Sequence, residues 1–342
     1  MAQQLYPSDL KCGRISCQDV VMPRVSRRVQ DRRQAICVTG EIRQGDAFDL
    51  IEQLPEKSVD LILTSPPYWG LRSYGLKARS DVLEQWKGAG HKTWDAPGYF
   101  WYRDAGGVLG LEPYPDWYVD HLVEFFNRAR RPLKPTGNVW VNLGDTYFGR
   151  WSSIRDGGRQ GYKGERLRRR TPAGGYLHDK QLLLIPARFA IAMQEAGWIL
   201  RNDLIWAKPK VMPRPETDRL RLSHEHWLHF VQRQARGRPK YYYDMDGTEE
   251  GALDVVVCPA EPGNDGHTAT FPRALIRPRI LSSCPVAGLV LDPFCGTGRA
   301  VAEALSLQRR GMGFELSRVH AVTARRIMKE MLSKVGGEVL KE

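Results

Sequence analysis

The sequence predicts an α/β fold in which a mostly parallel, Rossmann-like sheet is covered by helices on both faces. Two observations predict it. Short apolar segments of strand length alternate along the chain with longer segments of helical apolar spacing, as in βα units. In addition, the strand-like runs Val59–Thr64 and 288–292 end in turns rich in proline or glycine. Such turns are typical of the carboxyl edge of a parallel sheet, where ligands bind.

The individual elements follow from local pattern, and no internal repeat is present. Val59–Thr64 predicts a buried strand because it is almost wholly apolar. Gly197 indicates the end of the helix before it, since glycine commonly follows a helix C-terminus. Strands are predicted at 59–64, 138–143, 198–208, 226–232, 288–292 and 311–315, and helices at 46–54, 116–131, 181–196, 298–308 and after 315 to about 334.

These elements predict one domain over 36–342, preceded by a basic N-terminal arm over 1–35. The arm is polar and carries a group of closely spaced arginines; the alternative is a solvated tail without a role. Two long insertions, 70–112 and 146–180, interrupt the domain. Insertions of this length in a compact protein are usually functional or disordered.

Charge and cysteine usage narrow the functional class. Lysine and arginine total 51 against 39 aspartate and glutamate, a net charge of +12. This favours a polyanionic partner, although a solubilising surface gives the same composition. The six cysteines form no CxxC pair, so we expect no metal site, no disulfide framework and reduced thiols. Because apolar runs of membrane-span length and a signal peptide are absent, a cytoplasmic protein without a membrane contact is expected.

A glycine-rich turn predicts a nucleoside site. A strand ends at Asp292, and a turn with Gly296 and Gly298 follows it. Glu315 ends the next strand. Such glycines let a ligand approach the backbone closely, and the acid accepts hydrogen bonds from ribose hydroxyls. Val301 stands where dinucleotide sites have a third glycine, which argues against a pyrophosphate ligand. The alternatives are an ordinary strand–turn–helix corner and, for Glu315, a surface acid.

The segment TSPPY, residues 64–68, directly follows a predicted strand. Pro66 and Pro67 stiffen the loop and remove two N–H donors, so that it offers carbonyl oxygens, a hydroxyl and an aromatic ring. Ser65 Oγ and the Pro66 carbonyl would accept hydrogen bonds from the two N–H groups of an exocyclic base amine. Tyr68 would stack on a base taken out of the duplex. The alternative is a rigid turn after a strand.

TSPPYWGL at 64–71 and LDPFCGTG at 291–298 together resemble the amino-group DNA methyltransferases of the β arrangement, in which the catalytic motif precedes the cofactor motif. The similarity extends over 44–76, 112–145, 182–245 and 267–320. It implies an S-adenosylmethionine-dependent methyltransferase fold and a double-stranded DNA substrate whose target base flips out. It also implies catalytic roles for Ser65, Pro66, Pro67 and Tyr68, and cofactor binding by Asp46, Thr64, Thr270, Phe271, Pro272, Asp292, Pro293, Phe294, Gly296, Gly298 and Glu315.

Some of these residues have plainer interpretations. Asp46 would serve equally as a helix N-cap, and Phe271 as an aromatic residue of the core. Ser65 occupies the first position of the catalytic motif, where members with serine are mostly cytosine-N4 enzymes and members with aspartate or asparagine mostly adenine-N6 enzymes. We therefore predict cytosine N4 as the methylated atom, with adenine N6 as the alternative.

Other chemistries fit the sequence less well. Methylation of cytosine C5 needs a thiolate, usually in a Pro-Cys dipeptide that this sequence lacks, and Cys295 is expected to pack inside the cofactor turn. An RNA methyltransferase and a nucleic-acid-binding protein with a vestigial cofactor site stay open. A nicotinamide-dependent oxidoreductase is remote because the third glycine is missing.

Recognition of the target sequence is predicted to lie in the insertions. The region that usually carries it in the family is reduced to about 244–266, which is short and acidic. Aromatic residues at 86–102 would stack on bases or, alternatively, form a small core under the loop. The sequence leaves open whether a cognate restriction endonuclease exists and whether the protein is a monomer or a homodimer. In 146–180, phosphate or guanine contacts are predicted for Arg166, Arg168, Arg169 and Arg170, with non-specific attraction as the alternative.

Overall fold

The computed structural model of the chain describes residues 38–70, 78–149, 174–210, 217–246, 253–261 and 272–339. The predicted arm, 1–35, lies outside these ranges. Within them the strands are β1 (Thr39–Gln44), β2 (Val59–Thr64), β3 (Leu133–Leu143), β4 (Trp198–Ala207), β5 (His224–Gln232), β6 (Val255–Val257), β7 (Leu289–Asp292), β8 (Arg310–Glu315) and β9 (Glu338–Val339). The helices are α1 (Ala47–Glu52), α2 (Val82–Gly88), α3 (Tyr99–Asp104), α4 (Pro115–Ala129), α5 (Ile185–Glu195), α6 (Arg273–Ser283), α7 (Arg299–Ser306) and α8 (Arg318–Val335).

The described strands form one sheet in the order β6-β4-β5-β3-β2-β7-β8-β1-β9. β5 pairs antiparallel with both β3 and β4. The other described pairs are parallel. The prediction of a mostly parallel sheet is therefore confirmed, with β5 as a strand of opposite direction.

Apolar side chains from both faces of the sheet are covered by helices. Ile62 of β2 packs in a cluster with Phe48 of α1 and Phe125 of α4. Its neighbours in sequence, Leu61 and Leu63, pack in a different cluster with residues of α6 and α7. Since successive side chains of a strand point to opposite faces, this division confirms the predicted helices on both sides. In the described ranges, no helix is both long and apolar enough to cross a membrane.

Several elements were absent from the sequence-based prediction. β6 has three residues, too few for a periodic pattern. α6 contains Pro278 and several arginines, which mask its apolar spacing. The predicted helix start at 181 was wrong: α5 begins at Ile185, where Pro186 occupies its first turn, a position that proline favours. β3 begins at Leu133 rather than at 138.

The described part of the insertion 70–112 contains α2 and α3, where the sequence predicted no regular structure. Trp86 and Tyr102 are buried and pack against Trp117 of α4, with ring centroids 6.3 and 6.4 Å from it. Tyr99 is also buried. The small-core alternative is therefore correct for these residues, whereas Trp94 is 71% exposed.

The insertion also anchors the loop that follows β2. The Gly70 N–H donates to the Gly110 carbonyl at 2.7 Å, and Trp69 Nε1 donates to the Glu112 carbonyl at 3.0 Å. The buried Glu112 carboxylate accepts the Gly110 N–H at 2.8 Å and lies 3.1 Å from His121 Nδ1 of α4. A buried carboxylate is tolerated when such bonds satisfy it. The TSPPY loop is thereby connected to the helical layer.

Replacement of Gly313 by alanine should destabilise the sheet. Gly313 lies in β8, and an added Cβ would lie 2.7 Å from Cys295 Sγ and 2.9 Å from Ile42 Cδ1. Because both neighbours are buried, we expect the free energy of unfolding to fall by about 1–3 kcal/mol, measured by urea denaturation.

Gly88→Ala is the matched control. Gly88 is the last residue of α2, and an added Cβ would have no heavy atom within 4 Å. Alanine is the better helix former, so stability should be unchanged or slightly increased. Equal losses in the two variants would contradict the steric argument.

Candidate active site

The carboxyl ends of β2, β7 and β8 meet at one edge of the sheet and border a cavity of about 320 Å³. This is the edge at which open α/β sheets bind ligands. Residues of both sequence motifs line the same cavity, although they lie far apart in the chain. The predicted site residues among the lining are Asp46, Ser65, Pro66, Pro67, Tyr68, Asp292, Pro293, Phe294, Gly296 and Glu315.

Asp46 is a helix N-cap, as the plainer interpretation predicted, and its role in cofactor binding stays a prediction. It is the N-cap of α1, where its carboxylate accepts the Phe48 N–H at 2.9 Å, and it also lines the cavity. The Tyr99 hydroxyl donates to its other oxygen at 3.0 Å. The Phe48 and Tyr99 rings stack with centroids 3.6 Å apart. Burial raises the pKa of Asp46, while the hydrogen bonds oppose that shift. Tyr99 comes from the insertion, where base stacking or a small core was predicted for it, and its contact with Asp46 was not predicted.

Glu315, the predicted ribose acid, is held by the glycine turn. Its Oε2 accepts the Gly296 N–H at 2.9 Å, and its Oε1 accepts the Ser317 N–H at 2.8 Å. Gly296 has a φ of +53°, a left-handed conformation that favours glycine. Burial raises the pKa of Glu315 to about 7, although these N–H bonds oppose the shift. Each carboxylate oxygen keeps acceptor capacity for a hydroxyl of a ligand.

Asp292 is 2% exposed and lies at the end of β7. Its Oδ1 accepts the Thr64 hydroxyl at 2.6 Å and the Phe294 N–H at 3.2 Å. Burial raises its pKa to about 7, and the charge of Glu315 adds to this rise. Thr64 itself is fully buried and is not among the lining residues. In the structure Thr64 therefore orients Asp292 rather than bordering the cavity.

Two further predicted cofactor residues are not among the described residues that line the cavity. Gly298 is the N-cap of α7 and shapes the turn with a φ of +80°. Pro272 is buried and is the N-cap of α6. Cys295 is buried in the turn, as predicted, and burial raises the pKa of its thiol well above the ordinary value. Outside the described residues lie Thr270, Phe271, Arg166, Arg168, Arg169 and Arg170.

Tyr68 of the catalytic motif is held at both ends. A Cβ on Gly144 would lie 2.8 Å from the Tyr68 ring, so the ring lies directly against this glycine. The Tyr68 hydroxyl is 2.9 Å from both Asn142 Oδ1 and Glu225 Oε2, and Ser65 Oγ is 3.4 Å from it. Burial raises the pKa of the hydroxyl well above its ordinary value, and Glu225 adds to the rise. Tyr68 is therefore neutral and tightly positioned.

Sequence reasoning missed several cavity residues near Tyr68: Asn142, Trp206, Lys208 and Glu225. The sequence carried a signal for Lys208. It directly follows β4, as Ser65 directly follows β2, and residues at the carboxyl ends of strands lie at the ligand-binding edge. Glu225 lies at the amino end of β5, and only the antiparallel direction of that strand brings it to this edge.

The residues fit the cofactor that the resemblance implies. S-adenosylmethionine carries ribose hydroxyls and positive charge but no pyrophosphate. Asp292 and Glu315 place two carboxylates in one cavity, which suits hydroxyl donors and a cation. Phe48 and Phe294 add apolar surface to the lining, as expected where an aromatic ring of a ligand packs.

The chain is similar to known proteins over most of its length. The family model for N6 and N4 methyltransferases, described as DNA methylase, matches residues 59–326. The type II methyltransferase M.SmaI of Serratia marcescens is 34% identical over 291 residues, covering 82% of this chain and 88% of that protein. The type II methyltransferase M.Cfr9I of Citrobacter freundii is also 34% identical, covering 80% of this chain and 82% of that protein.

Solved structures share the fold. A structure described as PvuII DNA methyltransferase (cytosine-N4-specific) matches with a TM-score of 0.59 and 19% identity, covering 89% of this chain and 95% of that chain. An M1.HpyAVI–SAM complex matches with a TM-score of 0.50 and 18% identity, covering 85% of this chain and 99% of that one. The predicted methyltransferase fold is thereby confirmed. The predicted S-adenosylmethionine cofactor is confirmed by the match to the DNA methylase family rather than by these structures.

Affinity for S-adenosylmethionine should depend on pH. Asp292 and Glu315 both have a pKa of about 7 in the ligand-free protein. Their ionised forms bind hydroxyls and cations better, so affinity is fully present above pH 7 and is lost as the pH falls through 7. We expect the Kd at pH 6 to be about three- to tenfold higher than at pH 8, measured by isothermal titration calorimetry.

Glu315→Gln is the control for this titration. Glutamine keeps an acceptor for the Gly296 N–H but carries no titrating group. We expect weaker binding at pH 8 and a flatter dependence on pH than in the unsubstituted protein. A Kd that is constant between pH 6 and pH 8 in the unsubstituted protein would show that these carboxyls do not titrate in this range.

Proposed function

The chain belongs to the N6 and N4 DNA methylase family, and from this premise we propose that it methylates N4 of cytosine at a specific site in double-stranded DNA. One observation carries the proposal. The catalytic segment around Ser65 and the acids Asp292 and Glu315 line the same cavity. An amine held by the first group would therefore lie next to a cofactor held by the second.

The reaction needs positioning more than acid–base chemistry. Bound S-adenosylmethionine supplies an electrophilic methyl group on a positively charged sulfur. The residues of the chain then have to orient the amine, a contribution that proximity alone makes large. Ser65 Oγ and the Pro66 carbonyl would accept the two N–H bonds of the amine and aim its lone pair. Tyr68, fixed by Gly144 and Glu225, would provide the wall on which the flipped base stacks.

The choice of cytosine rests on Ser65. A neutral hydroxyl orients an amine but is a poor base, whereas an aspartate at this position would be able to take the departing proton. The PvuII enzyme, which shares the fold, is described as cytosine-N4-specific and agrees with this choice. Adenine N6 is the competing target, because its amine has the same two N–H bonds.

Double-stranded DNA is the proposed substrate, in keeping with the family and with the net charge of +12. We also propose that Arg166, Arg168, Arg169 and Arg170 contact the phosphate backbone or guanine edges. Because relatives such as M.SmaI are type II methyltransferases, protection of DNA against a cognate restriction endonuclease is the proposed biological role.

Mass spectrometry of nucleosides tests the reaction. The protein is incubated with unmethylated genomic DNA and S-adenosylmethionine, and the DNA is digested to nucleosides. We expect N4-methylcytosine. N6-methyladenine would overturn the choice of base. No methylated nucleoside, despite cofactor binding, would instead direct the test to RNA, and absence of cofactor binding as well would favour the vestigial-site alternative.

Ser65→Ala tests the proposed role of the hydroxyl. Alanine removes one of two acceptors for the amine, so we expect kcat to fall about 10- to 1,000-fold. The Kd for S-adenosylmethionine should be unchanged, because Asp292 and Glu315 are untouched. An unchanged rate constant for methyl transfer, measured under single-turnover conditions, would rule out an orienting role for Ser65.

Neutralisation of Arg168, Arg169 and Arg170 tests the DNA contact. The triple alanine variant should bind DNA more weakly. The plot of log affinity against log salt has a negative slope, and it should become less steep by about one for each phosphate that the protein no longer neutralises. Cofactor affinity serves as the control for folding. An unchanged slope would show that these arginines are not phosphate ligands.

A further inference from the structure

Four side chains outside the two sequence motifs line the cavity beside the catalytic loop. They come from adjacent strand ends: Asn142 of β3, Trp206 and Lys208 at the end of β4, and Glu225 of β5. Trp206 pairs with Glu225 across the β4–β5 ladder, and the Lys208 N–H donates to the Ser223 carbonyl at 2.7 Å. Because paired strands carry them, these side chains are presented to the cavity by a rigid part of the sheet.

The Lys208 ammonium is held between an acid and an aromatic ring. It forms an ion pair with Glu225 Oε1, and its Nζ lies 4.3 Å from the centroid of the Trp206 ring. The two charged side chains are 20% and 16% exposed, so water screens them less than a surface pair. An ammonium has three N–H donors, and in the described part of the chain Glu225 is its hydrogen-bond partner. Donors therefore remain for a ligand in the cavity.

Glu225 connects this cation to the catalytic loop. Its second oxygen, Oε2, accepts the Tyr68 hydroxyl at 2.9 Å. The same hydroxyl contacts Asn142 Oδ1, and the Asn142 amide group donates to the His226 carbonyl at 3.1 Å, which fixes the orientation of that amide. The position of the ammonium is thus coupled to the ring on which the target base is proposed to stack.

Cytosine and adenine differ at the edge next to the reacting amine. In cytosine the neighbours of the amine along this edge are two acceptors, N3 and then O2. In adenine they are one acceptor, N1, and then an apolar C2–H. Enzymes that flip a base read it by hydrogen bonds to this Watson–Crick edge. A lysine ammonium at the edge has two acceptors within reach in cytosine but one in adenine, and it therefore favours cytosine.

We propose that Lys208 is the specificity-determining residue for the target base and donates to the N3 and O2 edge of cytosine. Glu225 is a positioning residue that holds the ammonium relative to Tyr68. The proposal rests on the proposed function, because it places the target base in this cavity with its amine at Ser65.

The test is a double-mutant cycle between the enzyme and the base. Once the methylated site is mapped, two DNA duplexes are compared, one with cytosine and one with 3-deazacytosine at the target position. The deaza base has C–H in place of N3. For each enzyme, the ratio of kcat/KM on cytosine to kcat/KM on the deaza base is measured, so that intrinsic differences between the two duplexes cancel. We expect the ratio for Lys208→Met to be about 10- to 100-fold smaller than for the unsubstituted protein.

Two further variants separate specificity from structure. Lys210→Met makes the same change at an exposed lysine two residues along the chain and should keep the unsubstituted ratio. Glu225→Gln should reduce the ratio in part, which a purely structural role would not do. The Kd for S-adenosylmethionine should be unchanged in all three variants. If Lys208→Met does not fold, Lys208→Leu, which also lacks an N–H donor, is measured in its place and is expected to show the same reduced ratio.

The outcomes distinguish this inference from the proposed function. An unchanged ratio in the Lys208 variant, with N4-methylcytosine as the product of the unsubstituted protein, would overturn the role of Lys208 alone. N6-methyladenine as that product would overturn both. A reduced ratio with unchanged cofactor affinity supports the contact between Lys208 and the cytosine edge.

Discussion

The hydrogen bond between Thr64 Oγ1 and Asp292 Oδ1 is the interaction on which the rest of the site depends. It joins the last residue of β2 to the last residue of β7, strands that are neighbours in the sheet although the two residues are 228 positions apart. Both side chains are buried, where an unpaired carboxylate would be costly. The bond keeps the acid in place at the sheet edge, and the catalytic loop and the glycine turn begin immediately after it.

The two acids of the cavity are held in an environment that disfavours their charge. Asp292 and Glu315 have raised pKa values chiefly because of burial, and Glu315 raises that of Asp292 further. A cluster of this kind is poor for stability but is typical of functional sites. A cationic ligand with hydroxyl groups adds positive charge and further donors to the hydrogen bonds that the chain already gives the ionised acids. The arrangement therefore makes sense for a protein that binds S-adenosylmethionine.

The catalytic loop is stiff because contacts from separate elements restrain it. Its own prolines limit the backbone. Trp69 and Gly70 bind the insertion at Glu112 and Gly110, and the Tyr68 hydroxyl reaches Glu225 of β5. A reaction that depends on aiming one lone pair needs acceptors that do not move. The insertion, which has no strong periodic pattern, thus restrains the loop that is proposed to orient the amine, and it also contributes Tyr99 to the cavity.

The amino-acid sequence by itself determined the central strands, the order of the motifs and most of the acids and loop residues that line the cavity. Some of these features are local: an apolar run makes β2, and two prolines stiffen the loop after it. The predicted parallel order of the strands then places Ser65 and Asp292 at one edge. Tertiary structure alone decided the direction of β5, because alternation of side chains carries no direction. That direction brings Glu225 to the cavity and pairs it with Lys208. The burial that raises the acid pKa values likewise arises only when distant elements pack together.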